Sequence, residues 1–190
     1  MKELSLHILD IVQNSIKADA TLIEIEINED IDSNALSISI KDNGRGMDEE
    51  TIKKVEDPFF TTRTVRNVGL GIPLLKSAAE RCNGSFAIKS KINEGTEVKA
   101  VFGHNHIDRA PLGKIGDTMM VLLNNSEQFE ILYKHIYNRN EFVFDTVHIK
   151  KLLEGVDLNS PEILLWIKDY IKENIEDLKK THDSASKKQQ

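Results

Sequence analysis

The hexapeptide Asp42-Asn43-Gly44-Arg45-Gly46-Met47 follows directly on a strand-like run at residues 35–40. A carboxylate at a strand end accepts hydrogen bonds and suits the exocyclic amine of an adenine ring. Gly44 and Gly46 behind it let the backbone approach such a ring closely. Upstream, Asp10, Asn14 and Lys17 fall on one stripe of a predicted helix, a turn apart. The neutral amide oxygen of Asn14 suits Mg²⁺, which keeps several waters and takes few protein ligands. Lys17 is a point charge for phosphate. Downstream, Asp57-Pro58-Phe59-Phe60-Thr61-Thr62-Arg63 precedes Gly69-Leu70-Gly71, which opens another predicted helix. The first N–H groups and the dipole of that helix can meet phosphate oxygens. Residues 61–67, with Arg63 and Arg66, form a polar stretch suited to closing over a triphosphate. The pattern Gly-x-x-x-x-Gly-Lys-Ser/Thr of a P-loop does not occur. The chemistry is that of a nucleotide site of another design.

These residues need elements to hold them. Residues 3–18 place Leu4, Ile8, Ile11, Val12 and Ile16 on one face of a helix. Residues 21–28 alternate, with Ile23, Ile25 and Ile27 on the core side of a strand. Residues 35–41 do the same through Leu36, Ile38 and Ile40. Residues 47–55 read as a short helix with Asp48, Glu49 and Glu50 in its first turn, where the helix dipole favours them. Residues 71–81 form a helix closed by Asn83-Gly84. Two strands at 85–90 and 96–102 join through Asn93-Glu94-Gly95. This order predicts an α+β fold, a two-layer α/β sandwich.

Beyond His104 the composition shifts. Residues 118–124 read as a strand, and 129–137 and 141–144 as a hairpin around Asn138-Arg139-Asn140. Asp145 is placed to cap a helix reaching Glu154. Ser160-Pro161-Glu162 starts a last helix that should end near Lys180. The expected organisation is a nucleotide-binding domain at 1–104, an extension of one strand, a hairpin and two helices at 105–181, and a disordered polar tail at 182–190. The broad apolar face of the last helix, with Trp166, is expected to be core, with any excess serving a homodimer or a partner.

The chain has 190 residues, a formal net charge of −6 and one cysteine, Cys82. The charge argues against nucleic acid as a main partner. A single cysteine cannot form an internal disulfide and fits a reducing compartment. No apolar run approaches the ~20 residues that span a bilayer. Residues 1–5 are polar and already enter a helix, so neither a signal peptide nor a membrane association is expected. A cytoplasmic protein is the expectation.

In order and spacing the boxes resemble the GHKL superfamily of gyrase, heat-shock chaperone, histidine kinase and MutL ATPases. Residues 8–18 resemble its N box, Asp42–Met47 its G1 box, and residues 58–63 its F box and the start of the ATP lid. Gly69-Leu70-Gly71-Ile72 resembles the G2 box, and Gly95-Thr96 the last box, whose threonine lies near adenine. Lys17, three residues after Asn14, and the Phe-Phe-Thr-Thr-Arg run look most like the ATP-binding domain of sensor histidine kinases. The resemblance covers roughly residues 3–103 and implies the Bergerat-type ATP-binding fold. It implies a Mg·ATP site made of Asn14 (with Mg²⁺), Lys17, Asp42, Gly44, Gly46, Met47, Phe60, Thr61, Thr62, Arg63, Arg66, Gly69, Leu70, Gly71 and Thr96.

The sequence departs from the superfamily at two points. Hydrolysing members place a glutamate four residues before the asparagine to activate water. Here Asp10 stands there, one methylene shorter, which puts hydrolysis in doubt and leaves phosphotransfer open. The chain also starts inside the N-box helix, so a stand-alone module without the phosphoacceptor domain is expected. The resemblance implies a histidine-kinase-like regulatory protein that transfers phosphate from ATP to a separate, unknown partner protein. The alternative is an ATP-gated binding module, or slow ATPase, that controls a partner without transfer. His106-Ile107-Asp108-Arg109-Ala110-Pro111-Leu112 loosely resembles a phosphoacceptor motif. If the segment is extended, His104, His106 and Asp108 share a face that could bind a transition metal; a solvated loop with a turn at Pro111 is the plainer expectation for both.

Overall fold

In the computed structural model the described residues are 2–56, 70–124 and 128–186, with side chains described up to residue 180. The elements run α1 (Leu4–Lys17), β1 (Leu22–Asp30), β2 (Ala35–Asp42), α2 (Glu49–Glu56), α3 (Gly71–Arg81), β3 (Ser85–Lys91) and β4 (Gly95–Gly103). They continue with α4 (Ile115–Leu123), β5 (Glu130–Tyr137), β6 (Asn140–Asp145), α5 (Thr146–Leu152) and α6 (Pro161–Ser186). The strands make a six-stranded sheet in the order β3-β4-β2-β1-β5-β6. The fold is the expected α+β sandwich.

Alternation decides which face of the sheet is covered. Ile23, Ile25 and Ile27 of β1, Leu36, Ile38 and Ile40 of β2, and Val98, Ala100 and Phe102 of β4 are all buried. Their neighbours in sequence, such as Glu24, Glu26, Lys41 and Lys99, are at least partly exposed. Across the open face Glu24, Lys41, Glu97 and Lys89 lie side by side on four successive strands, and Glu24 pairs with Lys41 at 3.7 Å. Alternating charges of this kind keep a sheet face in water. On the covered side α1 packs against α3 and α4, and α4 against α6.

Residues beyond 104 are built onto the same sheet. β5 pairs with β1 in parallel, with Ile23 opposite Ile131 and Ile27 opposite His135. β6 returns antiparallel to β5 at the sheet edge. A parallel neighbour needs a crossover, and the connection from β4 to β5 supplies it through α4.

Three expectations in this region are corrected. Residues 118–123 are helical, within α4, where a strand was expected over 118–124. Ile115, Thr118, Met119, Leu122 and Leu123 are buried while Val121 is half exposed, and that spacing is a helix face. The extension therefore holds three helices, not two. Last, α6 continues to Ser186, past Lys180, so residues 182–186 prolong the helix; residues 187–190 lie outside the described residues. The expected hairpin and the Asp145 cap are as the sequence indicates: the Asp145 side chain accepts from Val147 N at 2.8 Å.

Candidate functional site

Three local devices bring the site together. Asp42 ends β2 with only 8% of its surface exposed. Its Oδ1 accepts from Gly44 N at 2.9 Å and Thr96 N at 3.2 Å, and its Oδ2 accepts from the Ser15 hydroxyl at 2.6 Å. The carboxylate is thus held by α1, β4 and its own loop while still bordering the cavity. The loop after it is pinned at both ends. Asn43 Oδ1 accepts from Thr21 N and Leu22 N, each at 2.9 Å. On the far side, Asn93 N donates to Arg45 O at 2.7 Å. Gly46 has φ +64, and a Cβ there would lie 1.9 Å from the Lys91 carbonyl oxygen. Only glycine permits both that turn and that approach.

The cavity beside Asp42 has a volume of about 570 Å³, ordinary for a small-molecule site. α1 contributes Asn14, Ser15 and Lys17; the loop after β2 contributes Arg45, Gly46 and Met47. Its apolar walls come from five elements: Ile11 of α1, Ile40 of β2, Val55 of α2, Ile72 of α3 and Val98 of β4. Thr51 and Thr96 complete the polar part. A flat aromatic ring fits such walls, and the charged residues stand where α1 ends. Among the described residues the Asn14 side chain has no hydrogen-bond partner and Lys17 no ion pair. Both are thereby available to a ligand. The donor set fits Mg²⁺ carried by a phosphate chain, since one amide oxygen beside ligand oxygens and water is the coordination that ion accepts.

Of the residues the sequence singles out, the structure brings Asn14, Lys17, Asp42, Gly46, Met47 and Thr96 to this cavity. Gly44 braces Asp42 from behind rather than lining the cavity. Asp10, Leu70 and Gly71 are also off the cavity wall. Asp10 lies against the start of α3: a Cβ on Gly71 would come 2.8 Å from the Asp10 Cβ. Burial there pushes the Asp10 carboxyl above its usual range, with Lys17 pulling the other way. Phe60, Thr61, Thr62, Arg63, Arg66 and Gly69 lie outside the described residues. Ser15, Arg45 and Thr51 join the site without having been singled out. Ser15 stood next to Asn14 in the same box, and its burial on the helix face toward β2 was the available signal.

His104, His106 and Asp108 do not come together as a metal site. His104 Nε2 contacts Glu29 at 3.2 Å, whereas His106 Nδ1 accepts from Asp108 N. Among the described residues no group of three His, Cys, Asp or Glu is placed to hold a metal ion. Nor is any helix among them long and apolar enough to cross a membrane.

The sequence pattern of the family described as histidine kinase-, DNA gyrase B-, and HSP90-like ATPase matches residues 2–105. A putative sensor protein of Shewanella frigidimarina (strain NCIMB 400) is 35% identical over 99 residues, which are 50% of this chain and 15% of that protein. Sensor histidine kinase YvrG of Bacillus subtilis (strain 168) is 30% identical over 97 residues, 49% of this chain and 17% of the relative. Sensor histidine kinase YxdK of the same organism is 31% identical over 106 residues, 53% of this chain and 33% of the relative. The chain thus spans a third or less of the length of these curated relatives. Among solved structures, the ATPase domain of Aquifex aeolicus MutL complexed with ADP shares the fold. Its TM-score is 0.52 at 16% identity, over 76% of this chain and 63% of that one.

Proposed function

The chain belongs to the family of histidine kinase-, DNA gyrase B- and HSP90-like ATPases, and on that premise we propose that it binds Mg·ATP in the cavity beside Asp42 and passes the γ-phosphate to a separate protein. Membership brings nucleotide binding with it; the transfer, its acceptor and the ion are the proposal. Asp42 takes the adenine amine, with Ile40, Val98 and Met47 about the ring. Lys17 would meet phosphate, and Asn14 would hold Mg²⁺, whose charge would offset that of the phosphate oxygens. The Bacillus relatives are sensor histidine kinases by name, which supports transfer over hydrolysis.

One observation supports an acceptor other than His106. His104 N donates to Asn34 O, so His106 lies beyond the Ala35 end of β2 while Asp42 marks the other end. Seven residue steps of strand put the two ends about 24 Å apart, with the cavity at the end remote from His106. In the transfer, the bond from the γ-phosphorus to the bridging oxygen breaks, ADP leaves, and a partner nucleophile forms the new bond.

The alternative, an ATP-gated module without transfer, is favoured by a different contact. Asn43 of the nucleotide loop holds Thr21 N and Leu22 N, and Thr21 O in turn accepts from Glu130 N at the start of β5. That chain of hydrogen bonds runs from the nucleotide loop into the C-terminal part.

Isothermal titration with Mg·ATP tests the site. Asn14→Ala is expected to lose binding by at least tenfold with its thermal midpoint unchanged. Unchanged affinity would sink the assignment. Incubation with labelled ATP and a lysate of the source cells then separates the two readings, because transfer predicts label on a second protein and gating predicts none.

A further inference from the structure

Ser90 lies on β3, outside the cavity and outside every box in the sequence, yet three contacts converge on its hydroxyl. Met47 N donates to Ser90 Oγ at 2.8 Å. The Gly95 carbonyl oxygen is 2.9 Å from it, and Thr96 Oγ1 is 2.8 Å away. A serine hydroxyl has one proton and two lone pairs. A backbone N–H can only donate and a carbonyl oxygen can only accept. Ser90 must therefore give its proton to Gly95 O and take one from Met47 N. Its second lone pair is left for the Thr96 hydroxyl, which must donate. The reverse arrangement, with Ser90 donating to Thr96, would leave two oxygens facing each other at 2.9 Å with no proton between them.

The consequence falls inside the cavity. Thr96 has its N–H engaged with Asp42 and its hydroxyl proton engaged with Ser90. What it presents to a ligand is a lone pair. Asp42, beside it, presents carboxylate lone pairs. We propose that Ser90 is a specificity-determining positioning residue: by fixing the Thr96 hydroxyl as an acceptor, it makes the ring end of the cavity an all-acceptor surface that takes a 6-amino purine and rejects a 6-oxo purine. The inference rests on reading the cavity as the adenine end of an ATP site. The Met47 contact gives Ser90 a second task, holding the nucleotide loop, but that task serves every nucleotide alike.

The ratio of affinities isolates the first task from the second. ATP and inosine 5′-triphosphate are titrated against the wild type, Ser90→Ala, Thr96→Val and the double variant, with thermal midpoints measured alongside. The wild type should prefer ATP. In S90A the Thr96 proton is released, the hydroxyl can donate to a 6-oxo group, and the ATP preference should shrink about tenfold. T96V, which removes the lone pair, should shrink it similarly, and S90A should add nothing to T96V, because both act through one group. If S90A does not fold, Ser90→Cys keeps the side-chain size with a much weaker hydrogen-bonding group and reads the same ratio. An S90A ratio that is unchanged, or that moves further toward ATP, overturns the proposal, as does an additive double variant. A wild type that binds neither nucleotide overturns the ATP-site reading itself, which is a separate result.

Discussion

His7 shows how a single residue records its surroundings. It stands on α1 with 2% of its surface exposed, and its Nδ1 has no hydrogen-bond partner among the described residues. Burial lowers its pKa to about 4, and the Arg81 guanidinium adds to the effect. The imidazole therefore stays neutral in the folded protein at pH values where it is protonated in the unfolded chain. The stability it allows is complete above its ordinary pKa of 6.5 and is lost as pH falls toward 4. By linkage that loss reaches about 3 kcal/mol at most. His7→Leu is expected to keep more of its thermal midpoint than the wild type between pH 6.5 and 4.5. If the two curves run parallel there, His7 is not the group that titrates.

At the scale of elements, the nucleotide loop is held by its neighbours on both sides. Gly46→Ala sets a Cβ against the Lys91 carbonyl and forces a left-handed φ on alanine, so the loop must leave the β3–β4 turn. ATP affinity should fall more than tenfold with a lowered thermal midpoint; a variant that binds as tightly as wild type would mean the loop is not held by that turn. The loop, and with it the polar half of the site, was legible in the sequence because its glycines, Asp42 and Asn14 have spacings few other structures require. Val55, Ile72 and Val98 were not, since a buried apolar residue on a predicted element reads as core whether or not a cavity opens beside it. Ser90 was hidden for the converse reason: a serine on an exposed-looking edge strand has no signature until its three partners are in place. α4 was misread because Met119-Met120-Val121-Leu122-Leu123 is apolar throughout and satisfies both periods. Its packing against α1 and α6 settles it as a helix.

Across the whole molecule, the C-terminal part is joined to the sheet through a buried polar node at the end of β1 remote from Asp42. Glu29, 4% exposed, receives His135 Nε2 at 2.9 Å and His104 Nε2 at 3.2 Å, with Lys179 of α6 at 3.3 Å. Tyr133, fully buried, closes the chain on His135 Nδ1 at 2.6 Å. Burial alone would raise the Glu29 pKa, but His135, Lys179 and His104 outweigh it and hold the group at about 2. A depressed carboxyl contributes stability that is present above its ordinary 4.5 and is lost as pH falls through that window. Glu29→Gln keeps the shape and removes the charge, weakening the hold on His135, His104 and Lys179; a loss of about 3 kcal/mol is expected at pH 7. The acid limb of stability between pH 4.5 and 2 should flatten with it. Six residue steps along β1, about 20 Å, separate this node from Ile23 beside Asp42. If the C-terminal part only completes the core, E29Q loses stability and binds ATP as the wild type does. If nucleotide instead gates that part through Thr21 and β5, loosening the node must also shift ATP affinity, because coupling between two sites is reciprocal. Titration of ATP into folded E29Q therefore tests the gated module without needing to know the partner.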